Sequence, residues 1–200
     1  MASRCPEPGP ATEGNPLSTS QPVRPEQARI EPVADSDAVR GRFGGRPDRV
    51  LNVSRTMARN PDLFTPWSDL ARYLAMEGRI PARERELVIL RIGWRARAVY
   101  EFGQHTLFGR RAGLDDDEIK AVTQELDSGP WNEGERDLLL MADELYDDDC
   151  VTDATWQRLA GRWDPAQLVE LVTLAGFYRM VSSTLNTLGV QLDEGVPGWP

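Results

Sequence analysis

The 200-residue sequence predicts an all-α domain. No segment alternates apolar and polar residues with the period of two that a half-buried strand requires. Several segments instead repeat apolar residues every three to four positions, and Asn-Pro, Asp-x-x-Glu and Gly signals separate them as helix starts and stops do. Together these exclude a sheet-based architecture and imply helices packed on helices.

The first helix is expected over residues 49–58, just after Arg46-Pro47. The second opens at Asn60-Pro61 and closes at Gly78, because asparagine caps exposed N–H groups, proline fits the first turn, and glycine ends a helix readily. Pro81 opens the third. Its Leu87, Val88, Ile89, Leu90 and Ile92 are apolar nearly all round, which predicts burial on several sides. The pattern loosens over Gly93–Arg97, and a fourth helix runs over 98–112 until Gly113 stops it. Asp115-x-x-Glu118 reads as a capping box for a fifth helix reaching Leu126. Ser128-Gly129-Pro130 breaks the chain, and helices over 133–146, 152–161 and 164–188 complete the domain. ERELVIL at 84–90 is echoed by ERDLLLM at 135–141, which places Trp156 where a second copy would carry the counterpart of His105.

A sequence 40% hydrophobic and 28% charged fits one soluble domain with a sizeable core. The net charge of −9 makes nucleic acid and anionic membrane surfaces poor partners. Acid clusters at 115–118 and 147–149 read as solvated helix ends rather than calcium ligands. Residues 1–40 hold seven of the fifteen prolines and almost no large apolar side chain, so they are expected to be a disordered tail. The domain then spans 41–193, followed by a short C-terminal tail over 194–200. Two cysteines, Cys5 and Cys150, imply no disulfide framework and suit a reducing cytoplasm. No basic-then-apolar leader is evident, and no apolar run is expected to reach membrane-span length.

Chemistry concentrates between Arg83 and Gly113, around His105, the one histidine of the chain. Its imidazole can accept and return a proton within one turnover. Glu101 lies four residues earlier, so on a helix it shares a face with His105 and can orient it, unless it pairs with Arg97 at the surface. Glu86 heads the apolar run and can hold or relay a second proton, or merely favour the positive end of its helix. On the last helix Arg179, Ser183 and Asn186 form a polar stripe. Arg179 either pairs with a carboxylate such as Glu86 or Glu101 or binds an anionic substrate group, and Arg91 carries the same ambiguity. Tyr100 and Tyr178 are candidate hydroxyl donors, and Trp67, Trp94 and Phe102 candidate pocket walls, although all five also suit a core. One histidine without clustered cysteines leaves too few metal ligands, so no metal is expected.

The ordered set R-x-x-E-L-V-I-L-R, Y-E-F-x-x-H and A-G-L-D-x-x-E-I, followed by W-x-x-x-E-R-x-L-L and A-D-E-L, resembles the carboxymuconolactone decarboxylase family, which includes the alkylhydroperoxidase D-like proteins. The resemblance extends over about residues 47–193. It implies an alkylhydroperoxidase D-like helical fold, a homo-oligomer, and a small acid/base or thiol site between helices. The peroxidase branch carries C-x-x-C ahead of its site histidine, and here those positions are Ala98 and Glu101, while Glu86 matches the relay glutamate. Disulfide-based peroxide reduction needs a low-pKa thiolate and a resolving partner, so the pattern argues against it. The expectation is a cofactor-independent acid/base enzyme on a small oxo-acid, lactone or cyclic compound. His105, Glu86 and Glu101 would be catalytic, and Arg179, Tyr100 and Asn186 would bind substrate. A peroxide-metabolism protein, a non-catalytic oligomeric binding protein and a biosynthetic cyclase are the alternatives.

Overall fold

A computed structural model describes residues 24–34 and 50–200. Eight α-helices, and no strand, occur among the described residues: α1 (Asn52–Met57), α2 (Pro61–Arg72), α3 (Ala82–Arg95), α4 (Val99–Arg111), α5 (Asp116–Ala121), α6 (Glu133–Asp148), α7 (Asp153–Ala160) and α8 (Pro165–Leu188). A π-helical turn, Tyr73–Glu77, extends α2 to Gly78. The class matches the expectation from sequence, and most boundaries follow the local signals. Asn60 caps α2 by accepting from Leu63 N, and Asp115 and Glu118 form the expected capping box. The α3–α4 break falls where the pattern loosens, with Arg97 at φ 51.

Helix α3 is the axis of the domain, packed by α4, α6 and α8. Its apolar residues serve two cores. Val88, Ile89 and Ile92 join Leu138, Met141, Leu171, Leu174 and Phe177, while Leu87 and Leu90 join Phe102, Leu114, Ile119, Val122 and Leu139. An all-round apolar surface is therefore what its position requires. Phe102 is fully buried, Trp67 packs on Phe64 and Phe177, and Trp94 on Phe102, so all three serve the core.

Three expectations need correction. Helix α5 stops at Ala121 rather than near Leu126, because Arg91, buried on α3, donates to the carbonyls of Val122 (2.5 Å) and Gln124 (2.8 Å) and holds that segment off the helical path. The tail expected to be disordered over 1–40 is placed against the domain at 24–34. Arg29 N donates to Leu188 O at 2.9 Å, and Val33 N to Arg55 O at 3.1 Å. The remainder of that tail lies outside the described residues. Finally, α8, at 24 residues, is long and apolar enough to cross a membrane, although 56% of its most apolar window is buried inside the domain. The C-terminal residues also pack, with Trp199 edge-on to Trp94 at 5.3 Å between ring centres.

Candidate active site

Two helices and a third at their side build the site. Glu86 stands in the second turn of α3, His105 in the middle of α4, and Tyr178 in the middle of α8. Glu86 Oε2 lies 2.6 Å from His105 Nδ1, and both residues are buried. Glu86 Oε1 accepts from Arg85 Nε at 3.1 Å, so each oxygen of this buried carboxylate has a partner. A buried charge held this way is compensated, whereas loss of either partner would leave it exposed to the low-dielectric interior. With Glu86 accepting from Nδ1–H, Nε2 is left as the basic nitrogen. Tyr178 meets the imidazole edge-on at 4.9 Å, and Phe108, part-exposed, lies on it at 5.4 Å.

Glu101 is not the residue that orients His105. Although one turn away on α4, it turns its carboxyl toward α8, where Oε1 accepts from Ser182 Oγ at 2.7 Å. It is 2% exposed, which also removes a surface pairing with Arg97. Burial holds its carboxyl well above the usual carboxylate range, and the Ser182 hydrogen bond offsets this in part. Tyr178 is pushed upward as well, first by burial and then by the charges of Glu86 and Glu101, so its hydroxyl feels both carboxyls.

The residues expected to bind substrate each have partners within the protein. Arg179 is paired with Asp149, donates to Leu145 O at 3.0 Å and stacks over Tyr146. Asp149 follows α6 at φ 55, a turn that spacing along α8 does not reveal. Tyr100 donates to Asp193 Oδ2 at 2.5 Å and accepts from Val53 N at 3.1 Å, tying α4 to α1 and the C-terminal segment. Asn186 donates to Ala96 O at 2.9 Å and caps the end of α3. Arg91 makes a two-bond pair with Asp143, at 2.8 and 2.7 Å. The surface depression lined by Asp117, Lys120, Ala121, Gln124, Ser128, Gly129 and Pro130 includes none of the His105 residues.

Sequence reasoning missed Ser182 and Arg85. Ser182 follows Tyr178 by four positions and so shares its buried face of α8, and a hydroxyl on that face was the available signal. Arg85, beside Glu86, gave none, since a basic residue in a first helical turn is ordinarily solvated. The echo at 135–141 has a structural counterpart of different chemistry. Asp137, at the position of Glu86, meets Arg158 Nε at 2.6 Å on α7, with no imidazole involved.

Residues 61–144, which contain both Glu86 and His105, match the model described as the carboxymuconolactone decarboxylase family. Over those residues the chain is similar to that family. An uncharacterized peroxidase-related protein from Silicibacter sp. TM1040 shares the fold with a TM-score of 0.75 at 16% identity, covering 90% of this chain and 97% of that one. Another, from Ralstonia eutropha JMP134 and described as an alkylhydroperoxidase AhpD core, gives 0.73 at 18% identity, covering 88% and 95%. A variant of the debrominase Bmp8 in complex with 2,3,4-tribromopyrrole gives 0.68 at 17% identity, covering 84% and 94%. No curated protein sequence matches the chain. The fold is alkylhydroperoxidase D-like, as expected, and identities this low carry fold rather than activity.

Proposed function

We propose that this protein is a cofactor-independent acid/base enzyme acting on a small oxo-acid, lactone or related cyclic compound, by decarboxylation or allied lyase or isomerase chemistry. The observation that supports this reading most is the buried Glu86–His105 contact at 2.6 Å. Glu86 fixes the tautomer and ring plane, and it stabilises the imidazolium that forms when Nε2 takes a proton. Arg85 holds Glu86 in place through its other oxygen. The match of residues 61–144 to the carboxymuconolactone decarboxylase family supports the same chemistry by analogy.

Thiol peroxidase chemistry is disfavoured, since Ala98 and Glu101 occupy the positions of the redox pair and no cysteine among the described residues is free. Thiol-dependent peroxide turnover that vanishes in Cys5→Ser/Cys150→Ser would reverse that judgement. Self-association is part of the proposal. The exposed positions of α8, among them Val169, Val172, Thr173, Gly176 and Met180, carry no charge, as a face covered by a second copy would.

The test uses pyruvate, the smallest oxo-acid of the class. In deuterium oxide, wild type should accelerate exchange of its methyl protons, followed by proton NMR, and His105→Gln should remove the acceleration. No acceleration by wild type, or undiminished exchange in folded His105→Gln, would sink the reading.

A further inference from the structure

Glu101 is the buried titratable side chain that the Glu86–His105 pair leaves unused. Its Oε1 has a donor in Ser182, while Oε2 is buried with no hydrogen-bond partner among the described residues. Its stem is fixed against α3 at Gly93, where an added Cβ would stand 3.7 Å from Glu101 Cγ. Ionised, this group would be a buried charge with one neutral donor and no cation, a costly arrangement. Neutral, it carries a proton on Oε2 that no group among the described residues receives.

Glu86 presents the opposite case, with Arg85 on one oxygen and the imidazole on the other. Helices α4 and α8 hold Glu101 next to the pair, because Glu101 and His105, one turn apart on α4, face Ser182 and Tyr178, one turn apart on α8, with the rings of His105 and Tyr178 4.9 Å apart and Ser182 Oγ 2.7 Å from Glu101. Two neighbouring carboxyls, one paired with a guanidinium and an imidazole and the other buried without a cation, is the arrangement that divides base from acid.

We propose that Glu101 is the general acid of the His105 site: a neutral carboxylic acid, anchored by Ser182 through Oε1, that gives its Oε2 proton to the carbonyl oxygen of a bound oxo-acid. This rests on the acid/base reading above. In enolisation, His105 Nε2 takes a proton from the carbon beside the carbonyl. The C–H electron pair becomes the carbon–carbon π bond, the carbonyl π pair takes the Glu101 proton, and the site passes from neutral imidazole and carboxylic acid to imidazolium and carboxylate. The reverse step restores both groups and leaves a solvent proton on carbon. Ser182 is a positioning residue that acts through Glu101.

Infrared spectra at pH 7 in light and heavy water should show a protonated-carboxyl band in wild type. That band should be lost in Glu101→Gln, retained in His105→Gln and shifted in Ser182→Ala. A wild type without it, or an undiminished band in Glu101→Gln, overturns this inference and leaves the His105 reading standing. In the pyruvate exchange assay, Glu101→Gln should slow exchange about 100-fold, since the amide keeps shape and hydrogen bonding but cannot yield a proton. Ser182→Ala should slow it less, and adding Ser182→Ala to Glu101→Gln should cost nothing more. Wild-type exchange in folded Glu101→Gln also overturns the inference alone, whereas absence of exchange in wild type overturns both proposals. Should Glu101→Gln fail to fold, the band shift and slowed exchange in Ser182→Ala decide, and their joint absence overturns the inference.

Discussion

At the scale of single residues, His105 and Glu86 are one unit, because the imidazole is oriented by the carboxylate that accepts its Nδ1 proton. His105→Gln should lower the chemical step on the order of 100-fold or more, and Glu86→Gln should do nearly the same. Their combined loss should fall short of the product of the two, as for groups serving one step. Rates for the two single variants and the double variant check this. Glu101 makes a separate prediction about stability. Its folded-state pKa is raised, so the folded protein binds a proton that the unfolded chain releases near the ordinary glutamate value of about 4.3. Stability from this group is therefore full below that pH and is lost as pH rises toward the folded pKa. Glu101→Gln, which cannot ionise, should melt close to wild type near pH 4 and increasingly above it in neutral and alkaline buffer. Parallel melting curves for the two proteins across pH would show that Glu101 is ionised in the fold.

At the scale of elements, helix ends were legible in the sequence because their signals are local. Asn60-Pro61 and Asp115-x-x-Glu118 each specify a cap through residues within one turn, and the caps form as read. Partners between helices were not legible. Spacing placed Glu101 beside His105, yet each takes a partner from another helix, Ser182 on α8 and Glu86 on α3. Arg179 pairs with a carboxylate as one reading had it, but with Asp149 rather than Glu86 or Glu101, since periodicity marks a polar stripe without saying what faces it. Helix α6 offers a test of local against tertiary support. Asn132 and Glu135 form its capping box, and Glu135 also accepts from Arg83 Nε at 2.7 Å. Asn132→Ala should cost about 1 kcal/mol, or about 2–4 °C in Tm for a domain of this size. Arg83→Met should act differently, through pH. Arg83, pairing with both Glu118 and Glu135, holds the Glu118 carboxyl below its ordinary value. That contribution is present above about pH 4.3 and is lost as pH falls through the depressed value. The stability deficit of Arg83→Met relative to wild type should therefore be greatest near neutrality and shrink in acid, as urea unfolding at several pH values would register.

At the scale of the whole molecule, residues that read as tail close the ends of the domain. The segment 24–34 runs beside the C-terminal end of α8 and along α1. Arg24 donates to Ala96 O at 3.0 Å, Arg55 Nε to Val33 O at 2.8 Å and Arg59 Nε to Glu31 O at 2.6 Å. Gly189 at φ 67 ends α8 where Gln27 passes, and an added Cβ would stand 2.6 Å from Gln27 O. Composition hid this. A segment with almost no large apolar residues reads as disordered, and what holds it is hydrogen bonding to arginines and to carbonyls left open at helix ends, a term that depends on the folded surface it meets. Ala96 O, at the end of α3, shows the logic, since it accepts from both Arg24 and Asn186. Removing residues 1–34 should lower Tm by a few degrees relative to removing residues 1–23, because only the longer deletion strips these bonds from α1, α3 and α8. Hydrogen exchange should localise the change, with amides of α1 and the last turn of α8 losing protection while the α3 core keeps its own. Identical melting and exchange in the two truncated chains would show that 24–34 lends the domain no stability. The pyruvate exchange rate should be the same in both, since none of the Glu86, Glu101, His105 and Ser182 contacts involves that segment.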